Sequence, residues 1–286
     1  MTDAEDPEEL RVALLERWER SAAGWAARRE RTRAFGMPVS ERMIDAVSPQ
    51  PGQRLLELAA GVGDTGLLAA ERLLPGGTLV SSDATEGMLE AARARAAELG
   101  VSNVEFKRLE LEWIDLPTAA VDAALCRWGL MFAVDPGAAL TETRRVLCPG
   151  GRLAVAVWEE PEHNPWATIT TRALFDLGLI DTLDPSVPGM FALAAPGRLA
   201  DLLGGAGFLE VAVEAIDFEA RYESVDDYSE VTGDLSRQFG DIVAGLSDAG
   251  REALRAEIAS LAAPFTSESD GALRMPARSL VASASS

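Results

Sequence analysis

Short apolar runs alternate with longer amphipathic segments through the first 158 residues. Apolar runs of about four to eight residues are typical of buried strands, and apolar residues at every third or fourth position are typical of helices. The pattern predicts strands over 54–60, 78–82, 104–108, 121–127 and 152–157, and helices over 8–34, 40–47, 67–74, 85–99 and 136–147. Because strands that alternate with helices form βαβ units, we predict a doubly wound α/β core with a parallel sheet.

The alternation becomes irregular after Trp158. Helices are predicted over 167–177 and 196–205, a strand over 209–221, a mostly helical stretch over 225–263 and a last strand over 273–282, with a polar loop otherwise filling 159–188. These additions bring the sheet to seven strands, mainly parallel. We therefore expect three parts: a helical lid over 1–50, a cofactor-binding core over 51–158, and a substrate-capping insertion with the last strands over 159–286.

The charge of the chain argues against two classes of partner. With 46 acidic and 26 basic residues it carries a formal charge of −20, and it therefore repels nucleic acid and anionic membrane surfaces. It lacks an apolar run of about 18 residues, and its N-terminus is acidic, so we expect a cytoplasmic protein. A single histidine and two cysteines favour no metal site. We expect a small-molecule partner; the oligomeric state is open, with a homodimer among the options.

A glycine-rich turn follows the first predicted strand. Gly61, Gly63 and Gly66 form the pattern G-x-G-x-x-G, and Asp83 ends the next strand 20 residues after Gly63. Glycines let the backbone approach a ligand closely, and an acidic side chain at the second strand end can accept hydrogen bonds from both ribose hydroxyls. The pattern therefore predicts a nucleoside-bearing cofactor, either a dinucleotide or S-adenosylmethionine.

Three details favour S-adenosylmethionine. Glu57 lies inside the first strand, where a buried carboxylate is costly unless it organises hydrogen bonds, and it suits a cationic amino-acid end better than a pyrophosphate. A second acid within 109–112 can accept a hydrogen bond from the adenine amino group. Neither Tyr222 nor Tyr228 has a lysine four residues on, which leaves little acid–base chemistry for hydride transfer. An NAD(P)-dependent oxidoreductase and a catalytically silent cofactor-binding module are the alternatives.

Five motifs follow one another in order between Pro51 and Trp158. They read LLELAAGVGDTG, SSDATEGMLEAA, VEFKRLELEWIDLP, VDAALCRWGLMF and RRVLCPGGRLAVAVW. Together they resemble class I S-adenosylmethionine-dependent methyltransferases, which have a Rossmann-like fold. The match is to the branch similar to ubiquinone/menaquinone-biosynthesis (type 11) methyltransferases and to small-molecule methyltransferases of bacterial secondary metabolism. The resemblance implies S-adenosyl-L-methionine as the cofactor and methyl transfer as the reaction.

The resemblance also implies which residues surround the cofactor. Those at its methionine end are Glu57, Ala59, Gly61, Gly63, Arg127 and Trp128. Those at its ribose and adenine are Asp83, Ala84, Met88, Glu110 and Leu111.

In methyl transfer the main task of the protein is to position the reactants, because the cofactor carries its own leaving group. His163, the only histidine, is the candidate general base because histidine is the commonest residue in that role. The candidate acceptor pocket consists of apolar or aromatic residues on the N-terminal helix, near strand ends and in the insertion: Trp25, Met131, Phe132, Trp158, Trp166, Met190 and Phe191. Their character favours a neutral or aromatic acceptor. The N-terminal helix, with Trp18 and Trp25, is expected to close over the acceptor and exclude water. The atom that is methylated, O, N or C, is left open.

Overall fold

The computed structural model of the protein describes residues 6–181 and 188–286. The helices are α1 (Pro7–Ala27), α2 (Arg29–Val47), α3 (Asp64–Ala70), α4 (Glu86–Leu99), α5 (Pro136–Val146), α6 (Pro165–Asp176), α7 (Arg198–Gly205), α8 (Val225–Leu235), α9 (Arg237–Gly245) and α10 (Asp248–Ala262). The strands are β1 (Arg54–Glu57), β2 (Thr78–Asp83), β3 (Val104–Arg108), β4 (Val121–Arg127), β5 (Leu147–Trp158), β6 (Leu209–Tyr222) and β7 (Leu273–Ser285). The first residues of the predicted lid and part of the predicted 159–188 loop lie outside the described residues.

The strands form one seven-stranded sheet in the order β3-β2-β1-β4-β5-β7-β6. Neighbours among β1 to β5 pair in parallel, whereas β7 runs antiparallel to both β5 and β6. This confirms the predicted mainly parallel, doubly wound sheet. The order reverses between β1 and β4, which is where ligands bind in open α/β sheets.

Helices cover both faces of the sheet. Side chains alternate along each strand, so Leu55 and Leu56 on β1 face opposite sides and belong to two separate cores. Val39, Met43 and Ile44 of α2 pack into the core on the Leu55 side. The continuous apolar runs of the sequence follow from this arrangement, because a central parallel strand is buried on both faces.

The N-terminal helices differ from the sequence prediction. The structure has α1 ending at Ala27 and α2 beginning at Arg29, instead of helices over 8–34 and 40–47. Pro38 lies inside α2. A proline removes the hydrogen bond to the carbonyl four residues earlier. That residue, Ala34, is exposed, so water can satisfy its carbonyl.

The C-terminal half adds helices at two places in the sheet. Helices α6 and α7 connect β5 to β6, and α8 to α10 lie between β6 and β7. The apolar faces of α6, α8 and α10 form a third core with β7, in which Tyr228 is fully buried. Among the described helices, none combines the length and the apolar character needed to cross a membrane.

Candidate active site

A cleft lies at the carboxyl ends of β1 to β4, beneath α1. It contains about 1160 Å³ of space free of protein atoms, its open mouth included. Helix α1 contributes Arg11, Leu14, Leu15, Trp18 and Trp25 to its lining. Most of the remaining lining residues follow β1, β2, β3 and β4 directly in the sequence.

The turn after β1 has the backbone that its glycines predict. Gly61 has φ +56° and Gly63 has φ +87°, a region that favours glycine. A Cβ on Gly61 would meet no protein atom within 4 Å, so the space beside it belongs to the cleft. Ala59 and Trp128, which lie just after β1 and β4, also have positive φ, at +49° and +58°. Strained backbone of this kind concentrates at functional sites.

Glu57 organises the floor of the turn from inside the protein. Its carboxylate accepts hydrogen bonds from the Gly66 N–H at 2.7 Å and from the Ser81 hydroxyl at 3.2 Å. A Cβ on Gly66 would lie 2.2 Å from Glu57 Oε2, so the third glycine is needed for close approach. Burial raises the pKa of Glu57 to about 7, although the Gly66 N–H and the charge of Arg127 oppose the shift.

Asp83 joins the end of β2 to the same turn. Its Oδ2 accepts from the Gly61 N–H at 2.9 Å, and its Oδ1 accepts from the Thr85 N–H at 3.0 Å and the Thr85 hydroxyl at 2.9 Å. Burial raises the pKa of Asp83 while these donors oppose the shift. A carboxylate has about four acceptor positions. Asp83 therefore retains the capacity to accept a hydrogen bond from a ligand hydroxyl.

Helix α1 is held over the cleft by contacts on both sides. The Glu19 carboxylate accepts from the Gly87 N–H at 3.0 Å, in the first turn of α4. The Trp25 indole N–H donates to the Leu235 carbonyl at 3.2 Å, at the end of α8. Trp18 packs edge-on against Phe132 with ring centroids 4.9 Å apart. These contacts fix two indole rings at the edge of the cleft.

The structure brings together nearly all the residues predicted to surround the cofactor. Those that line the cleft are Glu57, Ala59, Gly61, Asp83, Ala84, Met88, Glu110, Leu111, Arg127 and Trp128. Gly63 lies behind the lining, where it precedes α3 and packs toward Leu67 and Ala92.

The predicted acceptor residues divide differently. Trp25 lines the cleft, whereas Met131, Trp158, Trp166, Met190 and Phe191 lie outside its lining. Trp158 is buried against Trp128, with ring centroids 4.2 Å apart and nearly parallel planes. Phe35 of α2 and Trp166 of α6 pack on the same ring at 5.9 and 5.0 Å. The rings of Trp158 and Trp166 therefore pack against other aromatic side chains within the protein.

His163 also lies outside the lining of the cleft. It ends a short turn after β5, its side chain is 41% exposed, and its Nδ1 lies 3.4 Å from Glu159 Oε2. The lining also includes Trp18, which was expected to cover the acceptor together with Trp25, and Phe132, a candidate for the acceptor pocket. Leu14 and Thr85 line the cleft as well, although the sequence did not single them out. The apolar stripe on α1 was the available signal for Leu14.

Comparison with known proteins identifies the family. Residues 49–173 match the family model described as a methyltransferase domain. Nocamycin O-methyltransferase of Saccharothrix syringae is 32% identical over 201 residues, which cover 67% of this chain and 72% of that protein. Demethylmenaquinone methyltransferase of Clavibacter sepedonicus is 38% identical over 116 residues, covering 41% of this chain and 45% of that protein.

Solved structures show the same fold. A SAM-dependent methyltransferase from Aquifex aeolicus has a TM-score of 0.50 at 19% identity, covering 74% of this chain and 93% of that one. The YcgJ protein from Bacillus has a TM-score of 0.56 at 19% identity, covering 86% and 97%. The chain belongs to the class I S-adenosylmethionine-dependent methyltransferases. Of the two cofactor classes that the sequence left open, the family assignment selects S-adenosylmethionine.

Proposed function

We propose that this methyltransferase acts on a neutral or aromatic small molecule by in-line displacement at the sulfonium carbon. The observation that carries the proposal is the aromatic lining of the cleft: Trp18, Trp25, Trp128 and Phe132 all border it. Large aromatic side chains bind planar apolar ligands by burial and stacking. The similarity to nocamycin O-methyltransferase also supports a small-molecule acceptor in bacterial secondary metabolism.

The lining residues fit the parts of S-adenosylmethionine in the order of the strands. Asp83 would accept hydrogen bonds from the ribose, and Met88 would pack near the adenine. Glu110 and Leu111 would contact the adenine edge. The open space beside Gly61 would admit the methionine portion close to the backbone. When bound, the cofactor supplies an activated methyl group together with its leaving group.

The residues of this chain would then act by positioning and by excluding water. Of the predicted lid over 1–50, helix α1 would cover the cleft with Trp18 and Trp25 and keep water from the reacting atoms. Helix α2 is not part of that lid, because it packs into the core of the sheet. Because His163 lies outside the lining, proton removal by His163 is not part of this proposal. The acceptor would be held mainly by apolar contacts.

The surroundings of the enzyme are also part of the proposal. The charge of −20 supports a small molecule over nucleic acid or a membrane surface as the partner. We place the enzyme in the cytoplasm. A homodimer is compatible with this function, because the proposed site is built from one chain.

A screen of acceptors tests the proposal. S-adenosylhomocysteine formation is measured with the purified protein, S-adenosylmethionine and a set of phenols, quinones and polar amines. We expect turnover with at least one aromatic acceptor, and none in the Gly61→Val variant. Turnover confined to cationic or polyanionic acceptors would contradict the proposed class. Binding of S-adenosylmethionine without turnover on any acceptor would instead favour a silent binding module.

A further inference from the structure

We propose that Arg127 is the carboxylate-binding residue of the cleft. The inference rests on the proposed function, because it concerns the ligands of the same cleft. A carboxylate could come from two sources: the methionine end of the cofactor or an acidic group on the acceptor. The second source would narrow the acceptor proposed above from a neutral molecule to an aromatic acid.

The guanidinium of Arg127 is buried without hydrogen bonds to the described part of the chain. Its side chain is 12% exposed, and its Nε has no hydrogen-bond partner. The carboxylate of Asp64 comes within 3.8 Å of Nη2, which is beyond hydrogen-bond distance. A guanidinium carries five N–H donors and stays charged in proteins. Leaving the buried Nε donor unmatched is unfavourable, so this donor requires an acceptor.

Neighbouring residues fix the orientation of this guanidinium. It lies over the Trp128 ring, 4.6 Å from the centroid. On another side it packs against α2, because a Cβ on Gly36 would lie only 1.9 Å from Nη1. Since Arg127 also lines the cleft, a ligand in the cleft can reach it. A planar guanidinium held in this way matches the two oxygens of a carboxylate.

Asp64 provides charge without using the donors of Arg127. Its side chain is 4% exposed, neither of its oxygens has a hydrogen-bond partner among the described residues, and it lies outside the lining of the cleft. Burial lowers the pKa of Arg127, and the charges of Asp64 and Glu57 oppose that shift. The pair therefore keeps a cation at the cleft whose hydrogen bonds are available to a ligand.

The first arm of the test asks whether Arg127 binds the carboxylate of the cofactor. S-adenosylhomocysteine and its decarboxylated analogue, which lacks only the carboxylate, are titrated calorimetrically into the wild type and Arg127→Met. If Arg127 binds the cofactor carboxylate, the wild type prefers S-adenosylhomocysteine by about tenfold or more, the scale of hydrogen bonds to charged groups. Arg127→Met loses most of that preference and binds the analogue as the wild type does.

The second arm asks whether Arg127 binds a carboxylate on the acceptor. Binding of 4-hydroxybenzoate and 4-hydroxybenzamide is followed by NMR saturation transfer with the protein saturated with S-adenosylhomocysteine. If Arg127 binds an acceptor carboxylate, the wild type prefers the acid and Arg127→Met does not, while the first arm shows no change in preference. A wild type without carboxylate preference in either arm overturns the proposal, as does an unchanged preference in Arg127→Met.

Two further variants separate binding from folding. Arg95→Met removes another buried arginine, one that pairs with Glu30 at 2.7 Å outside the cleft, and it should keep the wild-type preference. If Arg127→Met does not fold, Arg127→Lys is compared instead, since it keeps the charge and loses the paired donors. Failure of the wild type to bind S-adenosylhomocysteine or its analogue would overturn the proposed function, and this proposal with it.

Discussion

The Asp83 carboxylate and the Gly61 backbone N–H are joined by a hydrogen bond of 2.9 Å. This bond connects the end of β2 to the glycine-rich turn after β1, and the Ala60 N–H reinforces it by donating to the Ser82 carbonyl at 2.8 Å. The acid proposed to hold the ribose therefore also fixes the turn proposed to carry the methionine portion. The two halves of the cofactor site form one unit, so a change at Asp83 acts on both.

Asp83→Ala should weaken binding of S-adenosylmethionine by roughly 1.5 to 3 kcal/mol, the scale for losing hydrogen bonds to a charged acceptor. Asp83→Asn should weaken binding less than Asp83→Ala does, because asparagine keeps one acceptor oxygen. Asp122→Ala is the matched control: Asp122 accepts from the Arg54 N–H at 2.7 Å, at the opposite end of β1. Calorimetry should show unchanged affinity in that control. Equal affinities of wild type and Asp83→Ala would refute the ribose assignment.

Gly61→Val should abolish cofactor binding. A branched side chain would fill the open space beside Gly61 and would be strained at φ +56°. Gly100→Val separates the two causes, because Gly100 also has positive φ and open surroundings but lies at the end of α4, away from the cleft. Both variants should melt at a lower temperature than the wild type. Normal binding by folded Gly61→Val would show that the turn is not the cofactor site.

The core of this fold could be predicted from the sequence because its signals are local. The strands over 104–108 and 121–127 have the predicted bounds. The second is a mostly apolar run buried inside the sheet, whereas the first is an edge strand in which apolar and charged residues alternate. The turn with Gly61 and Asp83 was predictable for a similar reason: backbone geometry and spacing restrict it to few sequences. The sequence did not predict that α2 begins at Arg29 and contains Pro38. The cost of a proline in a helix depends on whether the freed carbonyl reaches water, which requires the tertiary structure.

Glu57→Gln should change the pH dependence of stability. The folded-state pKa of Glu57 is raised from its ordinary value of 4.5 to about 7 by burial. For an acid with a raised pKa, the stability of the protonated form is fully present below the unfolded-state pKa and is lost as pH rises through the folded-state pKa. Glutamine does not ionise, so it loses no stability as the pH rises. The melting temperature of the variant minus that of the wild type should therefore increase from pH 5 to pH 8.

The measurement is thermal unfolding followed by circular dichroism at both pH values. Glu71→Gln is the control, because Glu71 is exposed on the turn after α3, and its difference from the wild type should not depend on pH. The same difference for Glu57→Gln at pH 5 and pH 8 would contradict the assignment of a protonated Glu57 in the folded protein.

Trp18→Ala should weaken ligand binding without unfolding the core. Trp18 lines the cleft and packs on Phe132, and burying a large apolar side chain is worth about 1.5 to 3 kcal/mol. We expect a rise of roughly tenfold or more in the dissociation constant for S-adenosylmethionine. Trp113→Ala is the control, since Trp113 is 76% exposed, and it should leave the dissociation constant unchanged. An unaltered constant in Trp18→Ala would remove α1 from the lid proposal.

The acceptor side of the site was harder to predict than the cofactor side. Trp158 ends strand β5 and Trp166 follows it, as expected for pocket residues, but their rings pack against Trp128 and Phe35. Whether an aromatic side chain at a strand end faces a cleft or a neighbouring helix depends on the packing of α2. That packing brings together residues from distant parts of the chain, and no local pattern in the sequence records it.

Parallel calorimetric titrations with S-adenosylhomocysteine and with NADH test the central claim most directly. Both are nucleoside-bearing ligands, and a glycine-rich turn with an acid after the second strand could serve either. We expect one S-adenosylhomocysteine site per chain, loss of that binding in Gly61→Val, and no detectable heat of binding with NADH. Saturable binding of NADH with no binding of S-adenosylhomocysteine would contradict the assignment of the cofactor.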